Sequence, residues 1–250
     1  MKEKICSALA LFSLLLPTFA LGDGHDDSGP EALAFVGAAC TLRDGKDQND
    51  ANKVVDALTR WSKKNHPGIL SVLTPKYAYG STQDMLFFSW MPFEVLGSFD
   101  NALSNDFVKE QKLLTDTMDC GSFAGGWYNM HLPESVSEAN SPMVMITGCN
   151  AVEGMSTEEV GAAFNKAGQK MKENNILNSL SVMDHGPGTR EVPGDFTVFQ
   201  AYPDAGAVAN EFNRYWNEDG WKENEVFQSN VATCEKPNMY SVQVLHRAAE

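Results

Sequence analysis

The chain has 250 residues, of which 43% are hydrophobic and 10% aromatic, and its formal net charge is −14. That composition can fill the core of one large domain or of two small ones. The acidic excess excludes nucleic acid and anionic membrane surfaces as partners, because both are bound through clustered lysine and arginine. A small-molecule ligand is the partner that the composition leaves open.

The amino terminus has the pattern of a secretory signal peptide. A charged start at 1–4 precedes an apolar stretch at 5–21 that Pro17 interrupts. We predict that residues 1–22 are removed, with cleavage after Ala20 as the alternative, and that 23–33 form a flexible acidic leader. No other segment is apolar for long enough to span a bilayer, so the sequence predicts a secreted or periplasmic protein.

A metal site depends on where the signal peptide is cleaved. If the mature protein begins at Asp23, the segment Asp23, Gly24 and His25 offers a free amine, two backbone amides and an imidazole. Four nitrogen ligands of this kind suit Cu(II) or Ni(II). A start at Leu21 removes the site, and an acidic leader with an incidental histidine is the alternative interpretation.

From Ala34 onward, one succession of patterns occurs twice. Cys40 and Cys149 each end an apolar segment, and they lie 109 positions apart. After each come a glycine, an amphipathic helical segment, two strand-like segments, a second helical segment and a final strand that ends in histidine. The matching strand segments are 34–40 with 143–149, 70–73 with 180–183, 85–91 with 196–202, and 126–131 with 241–246.

This succession predicts an α+β fold of two tandem ferredoxin-like βαββαβ repeats, at 34–131 and 143–247, joined by a linker at 132–142. Helices on one face leave the other face of each four-stranded sheet apolar and uncovered. We expect the repeats to pack sheet to sheet as a pseudo-dimeric α/β barrel. The protein is then expected to be a monomer with internal pseudo-twofold symmetry.

The duplicated order of elements across 35–246 resembles the dimeric α/β-barrel superfamily, which includes the antibiotic-biosynthesis-monooxygenase-like domains. The resemblance rests on element order and duplication and on no sequence motif. The superfamily contains cofactor-free oxygenases, haem-binding enzymes and isomerases, so the resemblance implies a fold and not one activity. The sequence itself predicts no cofactor, and haem is the alternative that the resemblance implies.

Four cysteines follow the predicted signal peptide, and four cysteines allow three connectivities. In the ferredoxin-like order, the first and fourth strands of a repeat are antiparallel neighbours. We therefore expect disulfides between Cys40 and Cys120 and between Cys149 and Cys234. Paired cysteines in an exported chain are mostly structural.

Four polar residues are candidates for chemistry. His131 and His246 end equivalent strands, where they either serve a site or simply mark strand ends near solvent. His185 and Arg190 lie in the glycine-rich and proline-rich connection 184–194, where they could bind an anionic or carbonyl-bearing ligand. The alternative is that this connection only shapes a hairpin.

The default ligand pocket lies between a sheet and its helices, with Asn150, Tyr202, Trp216 and Trp90 as its candidate contacts. The leading hypothesis is a secreted small-molecule-binding protein. The alternatives are a cofactor-independent monooxygenase or isomerase, and a structural or accessory exported protein without a ligand site. Polar groups that converge in a pocket favour the first two hypotheses, whereas an interior filled by phenylalanine and tryptophan favours the third.

Overall fold

The computed structural model describes residues 32–77, 83–139, 141–185, 194–218, 220, 222 and 230–248. The predicted signal peptide, residues 23–31 of the predicted leader with its metal site, and Arg190 lie outside these residues, whereas 32 and 33 of the expected leader belong to β1. The elements in chain order are β1 (Ala32–Leu42), α1 (Gln48–Asn65), β2 (Ile69–Tyr77), β3 (Met85–Met91), α2 (Leu96–Asp106), α3 (Val108–Thr117), β4 (Met118–His131), α4 (Glu134–Ser137), β5 (Met143–Ala151), α5 (Thr157–Glu173), β6 (Leu180–His185), β7 (Phe196–Tyr202), α6 (Ala205–Asn217), β8 (Ala232–Cys234) and β9 (Asn238–Arg247).

The two longest helices begin at residues that satisfy their first backbone N–H groups. Asp47 accepts hydrogen bonds from the backbone of Asn49 and Asp50 at the start of α1. Ser156 accepts one from the backbone of Glu159 at the start of α5, and the Glu159 carboxylate accepts one in return from the backbone of Ser156. Both starts are capping boxes, so the helix positions follow from local sequence.

Eight antiparallel strands close into a barrel. The order around the ring is β7, β6, β4, β1, β3, β2, β9 and β5, and β5 pairs again with β7. The short strand β8 adds to the edge of β5. The fold is therefore α+β with a closed barrel, and the helices α1 to α6 of the described residues lie outside it.

Two long strands connect the first half (β1–β4) with the second half (β5–β9). Strand β4 pairs with β1 and, through its last residues, with β6. Strand β9 pairs in the same way with β5 and with β2. The halves therefore share backbone hydrogen bonds, which the sequence pattern did not predict.

Side chains alternate between the barrel interior and the helix layers, as the pleat of a strand requires. All eight barrel strands contribute to one interior cluster, which includes Phe35, Phe88, Trp127, Met183 and Phe199. Separate clusters form outside the barrel, where α1 packs on the first half and α5 packs on the second.

The two expected disulfides are present, joining Cys40 to Cys120 and Cys149 to Cys234. The element bounds differ from expectation at several places, and β4 begins at Met118 rather than at residue 126. β1 begins two residues before Ala34, the expected linker contains the short helix α4, and the second helical region of the first half is divided into α2 and α3 at Phe107. Among the described helices, none has both the length and the apolar composition needed to cross a bilayer.

Candidate ligand-binding site

One end of the barrel combines aromatic walls with polar groups. We name this end the lower mouth; it is formed by the first residues of β1, β2, β5 and β6 and the last residues of β3, β4, β7 and β9. Its inner-face residues Leu33, Trp90, Ala201 and Val242 are packed on the interior cluster but remain partly exposed. Solvent therefore reaches the inner face at this end.

Above the mouth, aromatic rings fill the barrel. Phe35 lies at the centre, with its ring centroid 5.0 Å from that of Phe88 and 5.4 Å from that of Trp127. Phe199 reaches across from the second half to within 4.5 Å of Trp127. Rings at these separations contact one another closely, so the middle of the barrel is a packed core.

A hydrogen-bonded network lies at the mouth beside this core. The indole Nε1 of Trp127 donates to Oδ1 of Asn129 at 2.8 Å, and Oγ of Ser181 donates to the same oxygen at 2.9 Å. Because an indole N–H can only donate, the oxygen of the Asn129 amide must face Trp127. The two N–H groups of Nδ2 therefore point away from this network, and among the described residues they have no acceptor.

A second donor lies next to the network. The indole of Trp90 stands edge-on to that of Trp127, with ring centroids 5.2 Å apart. Its Nε1 is buried and has no hydrogen-bond partner among the described residues. A buried N–H without an acceptor costs free energy, and native structures contain few such groups. This donor is the strongest indication of a ligand at the mouth.

The wall contributed by the second half is made of small side chains. Trp90 pairs with Phe35 of β1, and the corresponding pair on β7 and β5 is Ala201 with Val144. On β9 the inner face carries Val242, which pairs with Leu73. Large rings therefore line one wall of the mouth and small aliphatic side chains line the other.

The structure does not bring together the four expected ligand contacts. Trp90 lies at the mouth, but Tyr202 faces the outer layer, where it packs with Val208 of α6. Trp216 is 71% exposed on α6, and Asn150 is exposed where β5 pairs with β8. Trp90 alone of these residues belongs to the mouth.

Tyr202 carries another buried polar group without a partner among the described residues. The residue is 1% exposed, and its hydroxyl has no hydrogen-bond partner among the described residues. Burial raises the pKa of Tyr202, and the nearby Glu211 carboxylate raises it further. This hydroxyl is therefore a neutral group enclosed under α6, away from the mouth.

His131 and His246 lie at the lower end but on opposite sides of the barrel. Their strands β4 and β9 are four positions apart in the ring of eight. Nε2 of His131 bonds the carbonyl of Ile176 at 2.9 Å, and Nε2 of His246 bonds the carbonyl of His66 at 3.0 Å. Each histidine thus ties a strand end to the helix–strand connection of the other half.

His185 lies at the opposite end of the barrel, beside the connection that contains Arg190. Its Nε2 is 2.8 Å from Oγ1 of Thr197, on the neighbouring strand. Burial lowers the pKa of His185, against a backbone hydrogen bond to Gly194 that raises it. The side chain is thus held against the base of its hairpin.

Asp184 and Tyr128 form a further pair of perturbed groups, on the outer face of β6 and β4. Burial raises the pKa of Asp184. Burial and the Asp184 carboxylate also raise the pKa of Tyr128. Sequence analysis did not single out either residue.

His66 is a buried histidine that the sequence analysis also missed. It follows α1 and is 5% exposed. Nδ1 accepts from the backbone N–H of Gly68 at 3.0 Å, so the proton of the neutral ring is on Nε2, which donates to Oγ of Ser89 at 2.6 Å. Burial lowers the pKa of His66 to about 4.

The described side chains do not fit a haem iron or another metal. The described part of the chain contains no cluster of three or more histidine, cysteine, aspartate or glutamate residues that could hold an ion. Nε2 of each described histidine already takes part in a hydrogen bond within the protein.

Comparison with solved structures shows the fold. A candidate monooxygenase from Lactobacillus acidophilus NCFM is 10% identical, with a TM-score of 0.53 over 87% of this chain and 96% of the other. A variant of the chlorite dismutase from Candidatus Nitrospira defluvii is 11% identical, with a TM-score of 0.52 over 85% and 92%. The fold is that of a dimeric α/β barrel.

An anthrone oxidase-like protein matches this dimeric α/β barrel at 13% identity, with a TM-score of 0.51 over 88% of this chain and 94% of the other. No family model and no curated protein matches the sequence. At these identities the likeness extends to the fold alone.

Proposed function

We propose that this protein is an exported small-molecule-binding protein whose ligand lies at the lower mouth of the barrel. The observation that carries the proposal is the buried indole N–H of Trp90, which has no acceptor among the described residues. Both Trp90 and the half-buried Asn129 contact Trp127, and Nδ2 of Asn129 is also without an acceptor among the described residues. A ligand that completes these bonds would remove the cost of leaving them unmade.

The walls of the mouth set the character of the ligand. Trp90, Trp127 and Leu33 offer flat apolar surface, and Ala201 and Val242 leave room opposite them. These residues and Asn129 are uncharged, and the chain carries a net charge of −14, which disfavours anions. The proposed ligand is therefore small, flat and uncharged.

The proposal includes the architecture and location expected from sequence. Two tandem ferredoxin-like repeats are supported by the equal pairing order of the two halves. In the first half β1 lies between β3 and β4, and in the second half β5 lies between β7 and β9. Export is supported by the two disulfides, which are typical of oxidising compartments. The intact mass of the protein recovered after export tests the predicted cleavage after Gly22 or Ala20.

Binding is tested by titrating the exported protein with 1-indanone and 1-tetralone in a calorimeter. We expect a dissociation constant below about 1 mM, because a small ligand that buries its rings gains about 4 kcal/mol or more. Trp90→Phe keeps an aromatic ring, though a smaller one, and removes the donor, so it should weaken binding about fivefold. Trp61→Phe is the matched control, since Trp61 Nε1 is equally buried without a partner but lies in the outer layer.

The same incubation separates the alternative functions. Ketone recovered unchanged after incubation in air supports a binding protein, whereas a product with one added oxygen or a rearranged skeleton supports the monooxygenase or isomerase alternative. Heat release from neither ketone, together with no thermal shift, would overturn the proposal and leave a structural or accessory role.

A further inference from the structure

We infer that Asn129 fixes the hydrogen-bond polarity of the lower mouth, so that the site takes ligands with a carbonyl-type oxygen and disfavours hydroxyl-bearing analogues. This inference rests on the proposed function and adds the class of ligand. It follows from which atoms at the mouth can still form hydrogen bonds.

The network leaves the amide donors of Asn129 free and uses the acceptor oxygen of that amide. Oδ1 of Asn129 already accepts from Trp127 and from Ser181, which occupies both of its lone pairs. The ring N–H of Trp127 is used in that bond. The groups that remain toward the mouth are Nδ2 of Asn129 and Nε1 of Trp90, and both can only donate. Oγ of Ser181 keeps its lone pairs, but Ser181 is only 2% exposed.

A carbonyl oxygen matches these donors because its lone pairs accept hydrogen bonds and it carries no proton of its own. A hydroxyl oxygen can also accept, but the one acceptor that the network leaves for its proton is Oγ of Ser181, which is 2% exposed. A buried hydroxyl proton without an acceptor weakens binding by about tenfold. The mouth should therefore distinguish two molecules that differ in little except the oxygen.

The position of Asn129 has no polar counterpart in the other half. Asn129 pairs with Ser181 across β4 and β6, and the corresponding pair across β9 and β2 is Val244 with Ser71. The second half therefore supplies no amide at this level. A single residue sets the polarity, and one substitution can invert it.

The test measures the affinities of 1-indanone and 1-indanol for the wild type and for Asn129→Asp. The wild type should bind the ketone about tenfold more tightly than the alcohol. In Asn129→Asp, one carboxylate oxygen keeps the bonds to Trp127 and Ser181 and the other becomes an acceptor, so the alcohol should become the preferred ligand. Asn105→Asp, on exposed α2, adds the same charge away from the mouth and should retain the ketone preference.

If Asn129→Asp fails to fold, Ser181→Ala replaces it. This substitution frees one lone pair of Oδ1 and should reduce the preference for the ketone severalfold. Equal affinities of the wild type for the two probes would overturn this inference and leave the proposed function intact. Binding of neither probe would overturn the proposed function itself.

Discussion

Acidification should destabilise this protein through His66, which is buried as a neutral ring. Its pKa lies at about 4 in the folded protein and at 6.5 when unperturbed. The unfolded chain therefore binds a proton on His66 between these values and the folded protein does not. Stability is full above about pH 6.5 and falls as the pH approaches about 4, because protonation favours the unfolded chain.

The size of the effect follows from the two pKa values. Linkage gives a loss of about 2 kcal/mol in the free energy of unfolding at about pH 5, and about 3 kcal/mol at about pH 4, from this residue alone. Glutamine does not titrate in this range. The His66→Gln variant should therefore be less stable than the wild type at neutral pH, but its stability should not fall with acidification through this residue.

Urea unfolding of both proteins, followed by tryptophan fluorescence at a series of pH values, measures the difference directly. The gap between wild type and His66→Gln should narrow by about 3 kcal/mol from neutral pH to about pH 4. His131→Gln is the control, since the His131 ring is also hydrogen-bonded within the protein but is partly exposed. A gap that stays constant across the range would refute the assignment of His66 as a buried neutral group.

Three further predictions concern the packing of the protein. Gly168→Ala should destabilise by about 2 kcal/mol, because its Cβ would lie 2.2 Å from the carbonyl oxygen of Met130. A Cβ at Gly161, on the same helix, would meet nothing within 4 Å, so Gly161→Ala should stabilise the protein by about 0.5–1 kcal/mol. Chemical denaturation measures both changes in the free energy of unfolding. Changes of the same sign would contradict the packing of α5 on β4. Cys149→Ser with Cys234→Ser should cost about 2–5 kcal/mol, seen as a lower Tm, and an unchanged Tm would show that this disulfide does not stabilise the fold. Tyr202→Phe removes a buried hydroxyl without a partner and should raise the free energy of unfolding by about 1 kcal/mol, whereas a loss of stability would mean that the hydroxyl has a partner.

The order of strands and helices could be predicted because each segment carries its own periodic pattern. Strand β4 shows the limit of that approach. Sequence analysis placed the last strand of the first half at 126–131, but β4 extends from Met118 to His131. Its first part contains Gly121, Ser122 and Gly125, which have weak strand propensity, and it is held as a strand by pairing with β1.

The candidate site was harder to predict because it depends on contacts between distant segments. Alternation along β4 places Trp127 and Asn129 on the same strand face. The orientation of the Asn129 amide, however, depends also on Ser181, 52 positions away. The local sequence of β3 gives no indication that Trp90 Nε1 lacks an acceptor, because that depends on the whole mouth.

The proposal that the lower mouth holds a ligand is tested most directly by the indole N–H resonance of Trp90 in a ¹⁵N–¹H correlation spectrum. Trp90→Phe and Trp61→Phe assign the two signals from buried, unpartnered indoles. On saturation with 1-indanone, the Trp90 signal should move downfield as its N–H gains an acceptor, and the Trp61 signal should stay in place. Saturation that leaves the Trp90 signal unmoved would contradict a ligand at the mouth.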